Sequence, residues 1–205
     1  EETNRTSVLD EALVGLLKDL RRKEAKRHNV PPYVIFQDPS LEDMATQYPI
    51  SMDDMVHISG VSRGKAIRYG KAFVEMIKKY VEENEIDRPT DFVVKQVANK
   101  SKIKVNIIQS IDRKVPLEDI AEANDITMDE ILEELYAIVL SGTKVNIDYY
   151  LDETMDEAIR DDIYDYFMSV DTDDAKVAYK ALKDDDITMD EILMVRIKFL
   201  SELAN

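Results

Sequence analysis

The residues best placed to do chemistry sit in one short stretch, Ile58-Ser59-Gly60-Val61-Ser62-Arg63-Gly64, followed by Lys65, Arg68 and Lys71. Gly60-Val61-Ser62-Arg63-Gly64 has the Gly-x-Ser-x-Gly spacing of a nucleophile elbow. That elbow needs a buried strand before it, a helix after it, and a His and an acid elsewhere. Here the sequence predicts a helix before it, and His28 and His57 are the only histidines. Hydrolysis is a poor fit. A helix–hairpin–helix-like element suits the same residues better. Gly60 lets backbone come close to a phosphate. The unpaired N–H groups opening the next helix point outward, with the positive end of the helix dipole behind them. Arg63, Lys65, Arg68 and Lys71 then add cations within about two turns. The competing reading is a plain interhelical turn with solvated charges.

Other chemistries find no support. The five glycines, 15, 60, 64, 70 and 142, do not build a Gly-x-x-x-x-Gly-Lys-Ser/Thr loop, so ATP hydrolysis by that route is not expected. With no Cys and two distant His, a transition-metal site is not expected either. Asp184-Asp185-Asp186 and Asp171-x-Asp173-Asp174 lack the Gly and terminal Glu of an EF-hand loop, and read as solvated acidic caps. The absence of Cys also removes a disulfide scaffold and suits, weakly, a reducing compartment. No catalytic residue, metal or cofactor is expected in these 205 residues.

The elements that must position the basic stretch read as helices. Charged residues make up 34 % of the chain, with few Gly and Pro, which is a helix-rich composition. Leu9, Leu13, Leu16, Leu17 and Leu20 recur at helical spacing and predict a helix over 8–28, stopped by Pro31-Pro32. Tyr33-Val34-Ile35-Phe36 is a short apolar stretch. Asp38-Pro39-Ser40 caps a helix to about Tyr48, and Ser51-Met52-Asp53-Asp54 caps a shorter one. A long helix runs from Arg63 to about Glu83, with Ala66, Tyr69, Phe73, Ile77 and Tyr80 inward. Asp87-Arg88-Pro89-Thr90 reads as a domain boundary. Further helices are expected over 103–113, after Pro116, over 127–141 ending at Gly142, over 155–168, over 174–183 and from Thr188 on. No apolar run approaches the ~18 residues needed to cross a bilayer, and no signal peptide is visible. The start at Glu1, without Met, reads as a processed chain or a fragment.

Charge is segregated along this helical chain. Residues 1–90 carry 14 Lys+Arg against 16 Asp+Glu, residues 91–114 carry 6 against 2, and residues 115–205 carry 7 against 25. The acidic C-terminal part repels phosphates and anionic membranes. A polyanion site must therefore lie in the first half or in the cluster Lys95, Lys100, Lys102 and Lys104, which equally fits a solvated linker and helix face.

Within the acidic part, Asp125-Ile126-Thr127-Met128-Asp129-Glu130-Ile131-Leu132 recurs identically at 186–193. Each copy holds a capping box, Thr127 with Glu130 and Thr188 with Glu191. Two related helix–turn–helix units explain the shared Ile, Met and Leu better than convergent capping. Residues 116–141 fit such a unit, but its second helix opens with Met128, Asp129, Glu130, Glu133 and Glu134. Carboxylates there oppose major-groove binding and favour a packing or protein-interaction role.

Residues 8–82 resemble the HRDC domain, the helical module near the C-terminus of RecQ helicases and RNase D. The resemblance is carried by Val30-Pro31-Pro32-Tyr33-Val34-Ile35-Phe36-x-Asp38, Leu41-x-x-Met44-Ala45, Pro49-Ile50-Ser51, Ile58-x-Gly60-Val61 and Arg68-Tyr69-Gly70-x-x-Phe73. Residues 100–205 resemble the helix–turn–helix extension of some bacterial RecQ proteins. The resemblance implies an all-α protein: an HRDC-like bundle over 1–86, a linker over 87–99 and an acidic helical domain over 100–205. It implies a non-catalytic accessory region of a RecQ-type ATP-dependent DNA helicase, with the motor elsewhere, acting in DNA repair, recombination and replication. The site residues it implies are Tyr33, stacking on a base, with Arg63, Lys65, Arg68 and Lys71, and also Arg22, Lys26 and the Gly60 backbone. Where family members often have a second Gly in the hairpin, this chain has Ser62. The implied partners are single-stranded or branched DNA for the first part, and the helicase core or other proteins for the acidic part, with no membrane. A cytoplasmic, nucleoid-associated bacterial location follows. The alternative is a protein-interaction module without significant DNA affinity.

Overall fold

The computed structural model describes residues 9–88, 102–183 and 186–205. Among them there are twelve helices and no strand, so the all-α expectation holds. The chain divides into two compact units, Glu1–Lys95 and Gln96–Asn205.

In the first unit, α1 (Glu11–His28) begins where the Asp10 carboxylate accepts from Leu13 N–H at 2.9 Å. It ends at Asn29, whose left-handed φ of 54° reverses the chain. Pro31-Pro32 does more than stop this helix. Pro32 opens a single turn, α2 (Pro32–Ile35), where a missing N–H costs nothing. That turn points Tyr33, Val34 and Ile35 into the unit, and all three are buried. In α3 (Asp38–Gln47) the expected cap is displaced by one residue. Gln37 holds the N-cap position without a side-chain bond, and Asp38 is the first helical residue. Its carboxylate pairs instead with Arg21 at 2.7 Å and Lys18 at 3.2 Å on α1. Burial alone would raise the Asp38 carboxyl, but hydrogen bonds from Arg21 and Lys18 hold it below the usual carboxylate range. After α4 (Met52–Met55), α5 (Arg63–Glu83) spans the unit.

The inner face of α5 carries Ala66, Tyr69, Phe73 and Ile77, all buried. They close on Leu13 and Leu17 of α1, Phe36, and Leu41 and Met44 of α3. Phe73 meets Phe36 edge-to-face, with centroids 4.9 Å apart. At Gly70 an added Cβ would lie 3.4 Å from Met55 Cγ and 3.6 Å from Met52 Cε, ordinary contact distances, so α4 packs directly on this part of α5. At the other end of the unit, the Asp10 cap also accepts from Tyr48 at 3.2 Å and Tyr80 at 3.0 Å. Arg88 donates to Tyr48 O and Asp54 at 2.9 Å each. The chain is thus still held to this unit two residues past the expected domain end at 86. The rest of the expected linker, with Lys95 and Lys100 of the basic cluster, lies outside the described residues.

In the second unit, α6 (Lys102–Asp112), α7 (Leu117–Ala123) and α8 (Met128–Leu140) match the sequence reading. The expected helix over 155–168 is α10 (Glu157–Ser169), opened by the Asp156 cap; before it lies a helix the sequence reading did not give, α9 (Asp148–Thr154), which ends at the extended Met155. Next come α11 (Ala175–Leu182) and α12 (Met189–Ala204), which packs on α8, α10 and α11. The two identical octapeptides fold alike. Asp125 and Asp186 are left-handed, with φ of 55° and 58°, and both capping boxes form. The buried Ser201 hydroxyl accepts from Val145 N–H at 2.8 Å and donates to Val145 O at 2.6 Å, satisfying the loop before α9. Asp174 caps α11, and Asp173 accepts from Tyr136, so these acids serve the fold. Among the described residues no three His, Asp or Glu side chains are grouped to hold a metal, and no helix is long and apolar enough to cross a membrane. Asp184 and Asp185 lie outside the described residues.

Two stability outcomes follow. Phe73→Ala is expected to cost about 3–5 kcal/mol in urea unfolding, the range for emptying a buried aromatic site; a loss under about 1 kcal/mol would mean the α5 stripe does not hold the first unit together. Burial, then Asp10, pushes the Tyr48 hydroxyl up to about 12. An unfolded tyrosine titrates near ~10, so the folded state keeps this proton longer. The resulting stability is intact below about pH 10 and is lost as pH rises through the folded value. Tyr48→Phe should flatten that alkaline decline, measured as urea midpoints against pH, and an unchanged slope would contradict the assignment.

Candidate functional site

The hairpin between α4 and α5 is built by tight backbone turns. His57 N–H bonds to Asp54 O, Ile58 N–H to Met55 O, and Val61 N–H to Ile58 O. Gly60 lies in the left-handed region at φ 74°, which a Cβ would oppose. Two groups on α3 hold the turn: Asp43 accepts from Ser59 N–H and the Ser40 hydroxyl donates to Ser59 O, both at 2.7 Å. Asp43 also accepts from Gln47, and both are buried. Ser62, at the position where a second Gly is common, is the N-cap of α5. Its hydroxyl accepts from Lys65 N–H at 3.1 Å. The N–H groups of Arg63 and Gly64 stay outside that cap, at the positive end of a 21-residue helix. A Cβ at Gly64 would meet nothing within 4 Å, so the first turn is open to an approaching group.

Not all the expected cations share this surface. Arg63, Arg68 and Lys71 are exposed, as is Lys78. Helical spacing puts them on one arc, with Arg63, Ile67 and Lys71 along a single ridge. The Arg68 guanidinium lies 5.8 Å from the Tyr69 ring centre. Arg22 and Lys26 are exposed one turn apart on α1, forming a second basic strip, and Arg22 pairs with Asp19.

Two expected site residues are corrected. Tyr33 is 7 % exposed, so its ring is core and offers no face to a stacking base. The cause is α2, which turns the whole apolar stretch inward. Lys65 is 6 % exposed, with its ammonium 5.7 Å from the Phe36 ring centre. It stands four and eight residues before Tyr69 and Phe73, on the buried face, and that spacing could have revealed it in the sequence.

A feature the sequence reading missed adjoins the hairpin. Met52, Asp53, Val56, Arg63, Ala66 and Ile67 line a groove of about 250 Å³. Ile67 is 70 % exposed, unusual for a large apolar side chain flanked by cations. Its position between Arg63 and Lys71 was the available signal.

In the second unit, α7 and α8 form the expected helix–turn–helix. Asp129, Glu130 and Glu133 are exposed on the second helix. The Thr127 backbone and hydroxyl hold the Glu130 carboxyl below its usual range, keeping it anionic. A phosphate backbone would meet repulsion there. Lys102 is exposed and Lys104 half-buried at the start of α6.

Residues 10–77 match the family model of the HRDC domain, and residues 101–151 match that of the RecQ-1-like helix-turn-helix domain. Over 71 residues, 35 % of this chain, it is 37 % identical to the ATP-dependent DNA helicase RecQ of Haemophilus influenzae. Over a stretch of the same length it is 32 % identical to the same-named helicase of Bacillus subtilis. Each match spans 12 % of the relative. Over 104 residues, 51 % of this chain and 7 % of the relative, it is 29 % identical to the mouse bifunctional 3'-5' exonuclease/ATP-dependent helicase WRN. The chain carries an HRDC domain and a RecQ-like helix-turn-helix domain, and its similarity to RecQ helicases lies in those regions.

The burial of Tyr33 separates stability from binding. Tyr33→Ala is expected to lower unfolding stability by about 3–5 kcal/mol, with any loss of ligand binding following the unfolded fraction. A Tyr33→Ala protein that keeps its unfolding midpoint but loses binding would place this ring at the surface.

Proposed function

We propose that this chain is a non-catalytic accessory region of a RecQ-type helicase, whose HRDC unit holds single-stranded or branched DNA and tunes substrate choice. The acidic unit, in this reading, contacts proteins or basic surfaces of the helicase itself. The observation that carries the proposal is the opening of α5. Its exposed first turn, the two N–H groups outside the Ser62 cap and the arc of Arg63, Arg68 and Lys71 match a phosphate backbone in sign. The Gly60 backbone shapes this turn, and the cations contact phosphates without reading bases. Arg22 and Lys26 extend the basic surface along α1. The carboxylates of α8 keep DNA off the second unit.

A second reading, a protein-interaction module, draws support from Tyr33. With that ring buried, the HRDC unit lacks its expected stacking platform.

Titration of a labelled single strand with the full chain at several salt concentrations separates the two. The DNA reading expects log K to fall with log salt by about 0.7 per phosphate contact. The Arg63→Ala/Lys71→Ala double variant should bind several-fold more weakly, with a slope shallower by about 1.4. Absent or salt-insensitive binding at low salt would instead favour the protein-interaction reading.

A further inference from the structure

Apart from Arg63, the lining of the groove between α4 and the start of α5 takes no part in the phosphate contacts described above. Its apolar side is made by Met52, Val56, Ala66 and Ile67, and Arg63 and Asp53 also line it. The Met52 methyl lies against α5 beside Gly70. Ile67 is 70 % exposed and Met52 36 % exposed, so apolar surface faces solvent within the basic arc. The volume of about 250 Å³ falls below the ~300–1,000 Å³ of pockets for whole drug-sized ligands. It suits one planar ring rather than a nucleotide.

We propose that this groove receives one unstacked base of a single DNA strand, between Met52 and Ile67, and prefers cytosine to thymine. The proposal rests on the DNA-binding reading and supplies the apolar base contact that buried Tyr33 cannot. Charge complementarity argues for a nucleic acid: Arg63 and Lys71 stand one turn either side of Ile67, placed for phosphates flanking the inserted base. A duplex cannot use the groove, because its bases stay stacked, which gives the site a preference for single strands. Asp53 supplies the selectivity. An ionised carboxylate accepts hydrogen bonds and donates none. The cytosine amine can donate to it, whereas thymine presents a carbonyl oxygen at the same place.

The test uses the full chain and three labelled oligonucleotides of equal length: oligo-dC, oligo-dT and an abasic strand. Oligo-dC should bind about 5–10-fold more tightly than the abasic strand, with oligo-dT between them. Ile67→Ser, at a position too exposed to support the core, should keep the wild-type unfolding midpoint and bring oligo-dC down to the abasic level. Asp53→Asn should raise affinity for every strand by removing a negative charge, and should also erase the dC-to-dT ratio. Equal binding of all three strands with the salt slope intact overturns the base groove and leaves the phosphate reading standing. Failure of every strand to bind overturns both. A dC-to-abasic ratio unchanged by Ile67→Ser places the base contact elsewhere and overturns the proposal. So does capture of an acidic, aromatic-anchored peptide by the wild type but not by Ile67→Ser, in the absence of oligonucleotide binding.

Discussion

The rotation of α5 about its own axis is the constraint from which the first unit follows. Ala66, Tyr69, Phe73 and Ile77 form one stripe, and burying it against Leu13, Leu17, Phe36 and Leu41 leaves the helix a single orientation. The outward arc is then settled as well. Arg63, Ile67, Arg68 and Lys71 must face solvent, and Lys65 must not. A basic surface here is the complement of a packed one. The edge-to-face contact of Phe36 with Phe73 ties the stripe to the chain after α2, and the same inward turn carries Tyr33 into the bundle.

Polar groups set the ends of this arrangement. Asp10 caps α1 and gathers the Tyr48 and Tyr80 hydroxyls, so one carboxylate fixes the start of α1 against two other segments. At the hairpin, Asp43 and Ser40 grip both sides of the Ser59 backbone. Held by several hydrogen bonds each, such groups favour one geometry. The first turn of α5 is therefore presented on a fixed loop, which limits the entropy lost when a ligand docks.

The second unit applies helix-terminus chemistry to a different end. Its carboxylates gather at the N-caps or first turns of α8, α10, α11 and α12, where they satisfy N–H groups and oppose the positive end of the dipole. Much of the acidity is thus structural in origin, yet its consequence is long-ranged. The charge that stabilises the helix starts would also repel a polyanion at the helix–turn–helix. α5 departs from these helices in the charge at its N-terminus: cations stand beside α5, carboxylates beside α8 and α12.

The sequence by itself determined the helical class, the extent of α5, the two identical capping boxes and the charge asymmetry. Each of these is local: a period of 3.6, a cap and its partner three residues on, or a sum over residues. The HRDC resemblance was legible for the same reason, because its motifs are runs of neighbouring residues. What depended on tertiary structure was which side of an element faces the core. Tyr33 lies on a stretch too short to show a period, so only the packed turn of α2 could place it inside. The sequence reading missed α9, whose seven residues are too few to show a helical period. The groove beside Ile67 joins residues from two helices that only tertiary packing brings together. A pattern along one chain cannot report a space between two, because that space exists only once both helices are packed.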